Sequence, residues 1–356
     1  MKKIVSVVLC IAMVLSLLSL VACSNNTGTK EPEKRTVVDM LGKEVEIPAV
    51  VENYSVLYSS AVPICGMLDK NFAHMYICPK GYAEWTGRIF PEVYSHATIV
   101  DKKAVTAEEI IESGAQVVFW SQSYNEEVVS ALEKVGIACV NVKISDEASA
   151  IKVTQIIAEV FGTDYAKLQA QKYIDVMKQS REDAVELVSK IPEDKLPSVL
   201  VLGGADTLEA FGVNDFEYYW ASQLRLNFIV PSSQGTDRVN LTMEQVYEYD
   251  PDIIIFEGWT DVEKLYNDPA WASLKATKNH MLLDTPMVLD VWCKPGAETP
   301  LMYNWVISTC YPDYAQEINM IEELTAHFKD FFEYEMSKEE AEIVCLTDLH
   351  EIVVFP

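Results

Sequence analysis

Beyond residue 36, apolar and polar positions switch repeatedly between the two-residue period of strands and the longer period of helices. The pattern predicts a hairpin at Val37–Pro48, strands at Tyr54–Ser59, Ala73–Cys78, Gln116–Ser121 and Ile137–Val142, and helices at Ala61–Asp69, Thr106–Ser113 and Asn125–Val135. Gly114 and Gly136 stand where two of these helices should end. Strands separated by helices of this length are typical of βαβ units and predict a parallel sheet.

From Ser145 to Ile191 the pattern is helical only. Its largest part, Thr163–Ser189, contains neither Gly nor Pro and predicts one helix of about 40 Å. Alternation of strand and helix resumes at Ser198–Leu202. The predicted fold is therefore α/β with two lobes, each built on a central, mostly parallel sheet with flanking helices, and one long α-helix joins them. Because ligands bind beyond the carboxyl ends of parallel strands, we expect a ligand cleft between the lobes.

The same pattern divides the chain into segments. We assign an N-terminal α/β lobe to residues 36–145, the connecting helical segment to 146–192, a C-terminal α/β lobe to 193–318 and a helical extension to 319–356. The extension carries apolar residues at helical spacing and a capping box, Ser337 with Glu340. We expect it to pack on the second lobe.

The first 22 residues have the composition of an export signal, because Lys2 and Lys3 precede a long apolar run. A retained transmembrane helix is the alternative, since the run nearly spans a bilayer. The sequence Leu20-Val21-Ala22-Cys23 resembles the bacterial lipoprotein box and favours cleavage before a lipid-modified Cys23. Residues 23–35 are polar and predict a flexible tether. The expected location is extracytoplasmic, with the lipid anchored to the outer face of the cell membrane.

Charge excludes one class of partner. The 356 residues include 54 acidic and 28 basic side chains, a formal net charge of −26. Such a surface repels phosphates, so we expect no nucleic-acid partner.

Six cysteines follow Cys23 without any C-x-x-C pair, and the sequence predicts no particular disulfide pairing.

Two segments of the predicted lobes match without gaps, one beginning at Thr106 and the other at Thr242. Each opens with a capping box and runs from a short helix into an apolar strand. Both carry a Glu at the second helical position, Glu108 in the first and Glu244 in the second. Singly, each could simply complement its helix dipole, a contribution of about 0.3–1 kcal/mol. As a pair, they suit docking on a two-fold symmetric partner that presents an Arg pocket to each.

Several motifs occur together in one order: Val38–Pro48, the two Thr-x-Glu segments, Pro251–Ile255, Asn267–Asn279 and Trp305 followed by Tyr311-Pro312. In these motifs the chain resembles the substrate-binding lipoproteins of bacterial ABC importers, in the class with one long connecting helix that carries ferric siderophores, haem and cobalamin. The resemblance implies a non-enzymatic protein without a cofactor, whose partner is a permease dimer with its ATPase subunits. It also implies that Glu108 and Glu244 dock on that permease. His280 stands where Gly is usual, and a positive φ there would cost about 1 kcal/mol.

Aromatic side chains in loops after predicted strands, and those in the segment Pro79–Arg88, which shows no clear period, are candidate cargo contacts because aromatic rings stack on chelate ligands. Three Arg residues are candidate partners for an anionic cargo. The candidates are Tyr82, Trp85, Arg88, Trp120, Tyr124, Trp259, Trp292, Arg225 and Arg238. Each could instead be a core residue or a surface ion pair. Trp271 is expected in the core, and Trp220 fits either environment.

The five His residues do not form a pair on a helix face, which argues against a bare metal ion and for a chelate whose metal is already ligated. The expected function is therefore capture of an iron chelate, a ferric siderophore, with cobalamin or haem as alternative cargoes. A surface-anchored hydrolase that uses the same cleft is the alternative of a different class. Neither a G-x-S-x-G nor an H-E-x-x-H motif supports it.

Overall fold

The computed structural model describes residues 33–69, 77–79, 83–100, 104–122, 126–230 and 238–346. The strands are β1 (Lys34–Val38), β2 (Glu44–Pro48), β3 (Tyr54–Val56), β4 (Ile77–Pro79), β5 (Thr98–Val100), β6 (Val117–Trp120), β7 (Ala138–Asn141), β8 (Ser198–Leu202), β9 (Glu209–Ala210), β10 (Asn227–Phe228), β11 (Val239–Asn240), β12 (Ile253–Phe256) and β13 (Leu282–Asp284).

The helices alternate with these strands, and three of them follow the last strand. They are α1 (Ala61–Leu68), α2 (Ala83–Ile89), α3 (Pro91–His96), α4 (Ala107–Glu112), α5 (Glu126–Lys134), α6 (Glu147–Phe161), α7 (Asp164–Ser189), α8 (Phe216–Gln223), α9 (Met243–Tyr249), α10 (Val262–Tyr266), α11 (Lys275–Lys278), α12 (Thr299–Cys310), α13 (Met320–Phe332) and α14 (Lys338–Leu346).

The first lobe is built on a parallel sheet in the order β3-β6-β7. Val118 pairs with Ser55 on one side and with Cys139 on the other. Each strand is followed by a helix on its way to the next, and the hairpin β1–β2 precedes them as predicted. All residues of β6 and β7 are buried, as expected for strands covered on both faces.

Two helices of the first lobe were missed in the sequence. The segment around Trp85 shows no clear period, yet it forms α2, and α3 follows directly. Trp85 and Ile89, four residues apart, are both buried in the main core. A helix of seven residues offers only one such pair, which is too little for a periodic signal.

The second lobe has a six-stranded, mostly parallel sheet in the order β11-β9-β8-β12-β13, with β10 also on β8. Strands β8, β12 and β13 are parallel neighbours, and β9 and β11 are antiparallel. Trp271 is buried on this lobe, with its ring 5.7 Å from that of Phe256 in an edge-to-face contact, which confirms it as a core residue. Trp220 is also buried.

Helix α7 is the long connecting helix, and its 26 residues correspond to about 39 Å. Gly162, at φ 70°, ends α6, and the Thr163 side chain caps α7. The buried carboxylate of Glu147, in α6, accepts from Arg181 of α7 at 2.8 Å and from the Tyr303 hydroxyl of α12 at 2.6 Å. This triad ties the connecting segment to the second lobe.

The helical extension packs on more than the second lobe. Its capping box at Ser337 is present, since Ser337 N–H donates to Glu340 and Glu340 N–H donates to the Ser337 hydroxyl. The Phe332 ring lies 5.8 Å from that of Phe90 in an edge-to-face contact, and Glu340 forms an ion pair with Arg88 at 2.9 Å. The extension therefore also covers the first lobe.

Within the described part of the chain, no helix has the length and hydropathy of a bilayer span. The predicted signal peptide and Cys23 lie outside the described residues.

Candidate functional site

A cavity of about 530 Å³ opens between the two lobes. It is lined from the first lobe by Tyr58, Ser59, Ser60 and Ile144, and from the second by Gly203, Glu257, Gly258, Trp259, Asp290, Val291, Lys294 and Pro295. The lining residues from both lobes follow the carboxyl ends of parallel strands, because they come after β3, β7, β8, β12 and β13. The predicted interlobe cleft is therefore confirmed at the edge where α/β folds bind ligands.

The loop after β12 holds an aromatic side chain at this cavity. Trp259 has φ 70°, a conformation that an L residue adopts only under constraint, and its side chain is 60% exposed. The constraint comes from Asp284 at the end of β13, whose carboxylate accepts the amides of Gly258 at 3.1 Å and Thr260 at 3.3 Å. Strand β13 thus fixes the loop that presents the indole.

Lys294 is held between two carboxylates of the second lobe. Its ammonium lies 2.9 Å from Glu217 and 2.5 Å from Glu257. Burial favours the neutral amine, but the carboxylates of Glu217 and Glu257 outweigh burial and raise the pKa of Lys294 above its ordinary value. Burial in turn raises the pKa of Glu217, which is fully buried. The ring of Phe211 lies 4.9 Å from the Lys294 ammonium and adds a cation–π contact.

Asp290 places a second carboxyl group at the cavity. The residue is 7% exposed, and its Oδ1 accepts the amide of Val291 at 2.9 Å. Its Oδ2 is buried without a partner at hydrogen-bond geometry among the described residues. Burial raises the pKa of Asp290 to about 6, whereas the Val291 amide, the Ser60 hydroxyl and Lys294 oppose the rise. An incompletely satisfied carboxylate in a pocket favours a ligand group that supplies a donor or a positive charge.

Hydrogen bonds to Glu298 stabilise the loop that carries Asp290 and Lys294. The Glu298 carboxylate is buried and accepts four N–H groups, from the amides of Val288, Leu289 and Asp290 and from the indole of Trp292. Burial raises the pKa of Glu298, and these donors act in the opposite direction. A loop without regular secondary structure is thereby held in one conformation, which positions the charged side chains at the cavity.

Of the predicted cargo contacts, Trp259 lines the cavity. Trp85, Trp120 and Trp292 are buried, at 5%, 8% and 0% exposure. Trp292 contributes no surface because its indole serves as a donor to Glu298 at 2.6 Å. Tyr82 and Tyr124 lie outside the described residues.

The three predicted Arg contacts all hold carboxylates of this chain. Arg88 pairs with Glu340 and lies over the ring of Trp85. Arg225, at φ 56°, donates to carbonyl groups at the end of α7 and pairs with Glu193. Arg238 donates to Asp215 from Nε at 2.9 Å and lies over the ring of Phe211, next to Lys294.

Sequence reasoning missed the charged and hydroxyl residues of the cavity. Glu257 stands directly after β12, so considering all polar side chains at strand ends, and not only aromatic ones, would have found it. Tyr58 lies two residues after the end of β3 but inside the longer strand, Tyr54–Ser59, that the sequence pattern predicts, and for that reason it was not selected. Asp290 and Lys294 lie in a loop without a periodic pattern, and no local signal marks them.

Glu108 and Glu244 occupy matching positions in the two lobes. Each is the second residue of its helix, α4 or α9, and each is exposed. Both helices begin with a complete capping box, at Thr106 and at Thr242, as predicted.

No cluster of three His, Cys, Asp or Glu side chains suited to a metal ion occurs among the described residues.

Comparisons with known proteins agree with this geometry. The family model for periplasmic binding proteins matches residues 99–289. A periplasmic solute-binding protein of Veillonella parvula superposes with a TM-score of 0.77 at 20% identity, over 88% of this chain and 97% of the other. The molybdate-bound periplasmic protein MolA of Haemophilus influenzae superposes with a TM-score of 0.73 at 18% identity, over 85% of this chain and 99% of MolA. Helicobacter pylori CeuE with bound Ni(II) superposes with a TM-score of 0.68 at 16% identity, over 86% of this chain and 98% of CeuE. No curated protein sequence matches the chain. At these identities the structural matches establish the fold.

Proposed function

The chain belongs to the periplasmic binding protein family, and from this premise we propose that it is the extracytoplasmic substrate-binding lipoprotein of an ABC importer. It captures an iron chelate, a ferric siderophore, between its lobes and delivers it to a permease dimer with ATPase subunits. Its role is solute binding, not catalysis. Lipid on Cys23 keeps it at the outer face of the cell membrane, within reach of the permease.

The interlobe cavity is the observation that carries this proposal. Its volume of about 530 Å³ falls within the range of about 300–1,000 Å³ that is usual for small-molecule sites. The Trp259 indole offers an aromatic face to a chelate, and the seryl hydroxyls of the first lobe offer hydrogen bonds from the other side. Cobalamin or haem would use the same cavity.

The hydrolase alternative finds little support in the cavity. Among the described lining residues there is neither a His nor a Cys to serve as base or thiol nucleophile. The Lys294 ammonium, which could act as a base only when neutral, has a raised pKa. Delivery to a permease is therefore the function that the cavity supports best.

Docking is tested with the double variant Glu108→Ala, Glu244→Ala. We expect unchanged cargo affinity and loss of cargo uptake in cells, because both side chains are exposed and neither belongs to the cavity lining. The matched control is Glu112→Ala with Glu248→Ala, the other pair of exposed glutamates at equivalent positions of the same helical segments. Equal loss of uptake in the control, or normal uptake in the docking variant, would contradict the docking role.

Cargo identity is tested by the visible absorption spectrum of protein purified from its native host. A ferric chelate gives a broad charge-transfer band, whereas haem and corrinoids give their own characteristic bands. A colourless preparation whose melting temperature does not rise with any added metal chelate would count against all three cargoes.

A further inference from the structure

The second-lobe side of the cavity is strongly acidic. Among the described residues, five carboxylates line it or adjoin its lining residues: Glu257 and Asp290 in the lining, Glu217 beside Lys294, Glu209 next to Gly203, and Asp284 beneath the Trp259 loop. A sixth, Asp215, pairs with Arg238, which lies over the same Phe211 ring as Lys294. Two cations of the described residues accompany these carboxylates. The cations are Lys294 and Arg238. This excess of negative charge creates a negative electrostatic potential in the cleft, and the low-dielectric walls of the cleft strengthen that potential.

Neither cation is arranged to receive an anion. Lys294 contacts the buried Glu217 and the lining Glu257 at once. Arg238 gives two N–H groups to one oxygen of Asp215, at 2.9 and 2.8 Å, and pairs with Glu209 at 3.4 Å. An anionic cargo would have to compete with these carboxylates and would meet their repulsion as well.

A cationic group, in contrast, meets two carboxylates in the cavity lining. Glu257 pairs with Lys294 through Oε1, and its side chain is 23% exposed at the cavity. Asp290 is more than nine-tenths buried in the lining, and its Oδ2 lacks a partner at hydrogen-bond geometry among the described residues. The exposed indole of Trp259 offers a ring face, the surface that attracts ammonium and guanidinium groups.

We infer that the cargo carries positive charge, and that Glu257 and Asp290 bind its cationic group while Trp259 covers it. This inference rests on the proposed capture of an iron chelate and narrows it to one class. Three hydroxamates neutralise Fe(III), so a ferric trishydroxamate with a free amine is a cation at neutral pH. A ferric tris-catecholate is strongly anionic and is the class that this cleft rejects.

The test uses the full chain and a matched pair of ligands. The ferric complex of desferrioxamine B carries a free ammonium, and the ferric complex of its N-acetylated form differs in lacking that charge. Calorimetric titration should give at least about tenfold tighter binding for the ammonium form, a difference of about 1.4 kcal/mol. Equal affinity for the two forms would overturn the inference.

A ferric tris-catecholate separates this inference from the proposed function. If it binds more tightly than the ammonium chelate, the charge assignment is wrong while iron-chelate capture stands. If none of the three complexes binds, capture of iron chelates and the charge assignment both fail.

Two variants locate the contact. Glu257→Gln and Asp290→Asn should each weaken binding of the ammonium chelate about tenfold or more and leave the acetylated chelate almost unaffected. The control is Glu263→Gln, an exposed acid of the same lobe outside the cavity lining. Because Asp290 is buried, a melting curve must show that Asp290→Asn still folds. If it does not fold, Glu257→Gln, at a partly exposed site, still tests whether a carboxylate contacts the cation. Equal weakening of both chelates would assign the two carboxylates a structural role and overturn their role as cation contacts.

Discussion

Replacement of Glu298 by Gln is the most direct test of how the cavity is held in shape. In the structure, Oε1 accepts the amides of Leu289 at 2.6 Å and Asp290 at 2.9 Å. Oε2 accepts the amide of Val288 at 3.2 Å and the indole N–H of Trp292 at 2.6 Å. Burial raises the pKa of Glu298 to about 8, but donors occupy both oxygens and a proton on either would displace one of them, so we take the ionised carboxylate as the form that the loop requires.

The expected loss of folding free energy follows from the number of N–H groups that lose their acceptor. Gln keeps one oxygen, so two of the four N–H groups retain an acceptor, and the other two face an NH₂ group. A buried donor without a partner costs about 1–3 kcal/mol, which gives about 2–6 kcal/mol for Glu298→Gln. This is a large fraction of the 5–15 kcal/mol that is typical of the whole folding free energy.

The measurement is urea denaturation at neutral pH, followed by intrinsic fluorescence, with Glu317→Gln as the control at an exposed position of the same lobe. The variant should also bind cargo more weakly, since the loop anchored by Glu298 carries Asp290 and Lys294. If Glu298→Gln unfolds within about 0.5 kcal/mol of the wild type, the assignment of an ionised, fourfold hydrogen-bonded carboxylate is wrong.

Four further predictions concern backbone strain, cargo binding, pH and packing. His280 has φ 54°, as its replacement of a usual Gly suggested, and His280→Gly should raise the free energy of unfolding by about 0.5–1 kcal/mol in urea titrations with no change in cargo affinity. Trp259→Gly relieves the same kind of strain at φ 70° but should weaken cargo binding about tenfold or more in calorimetry; unchanged affinity would remove Trp259 from the site. Affinity for a cationic chelate should fall as the pH drops through about 6, by up to about tenfold per pH unit, because Asp290 then becomes protonated; a flat profile between pH 5 and about 7 would refute this. Gly66→Ala should lower the free energy of unfolding by about 1–3 kcal/mol, since the new Cβ would clash with the Phe90 ring, and a wild-type melting curve would contradict that packing.

Local patterns were sufficient for much of the fold. The strand Ser198–Leu202 was predicted with its observed ends, and the long helix was predicted to within one residue. Capping boxes at Thr106 and Thr242 were also foreseen, because a cap is formed by residues three positions apart. Helix α2 was missed, since a helix of seven residues shows almost no period.

The sequence by itself determined the two α/β lobes, the connecting helix and the edge at which a ligand should bind. Periodicity and capping are properties of neighbouring residues, so they can be recognised before the chain folds. Only the tertiary structure decided which side chains meet at that edge. Glu217, Glu257 and Lys294 come from separate parts of the chain and form one charged group because the first turn of α8, the residue after β12 and the loop after β13 converge. The same packing buried Trp292 and left Trp259 exposed, because the available hydrogen-bond partner and the loop conformation, not the residue type, determine which indole faces the cavity.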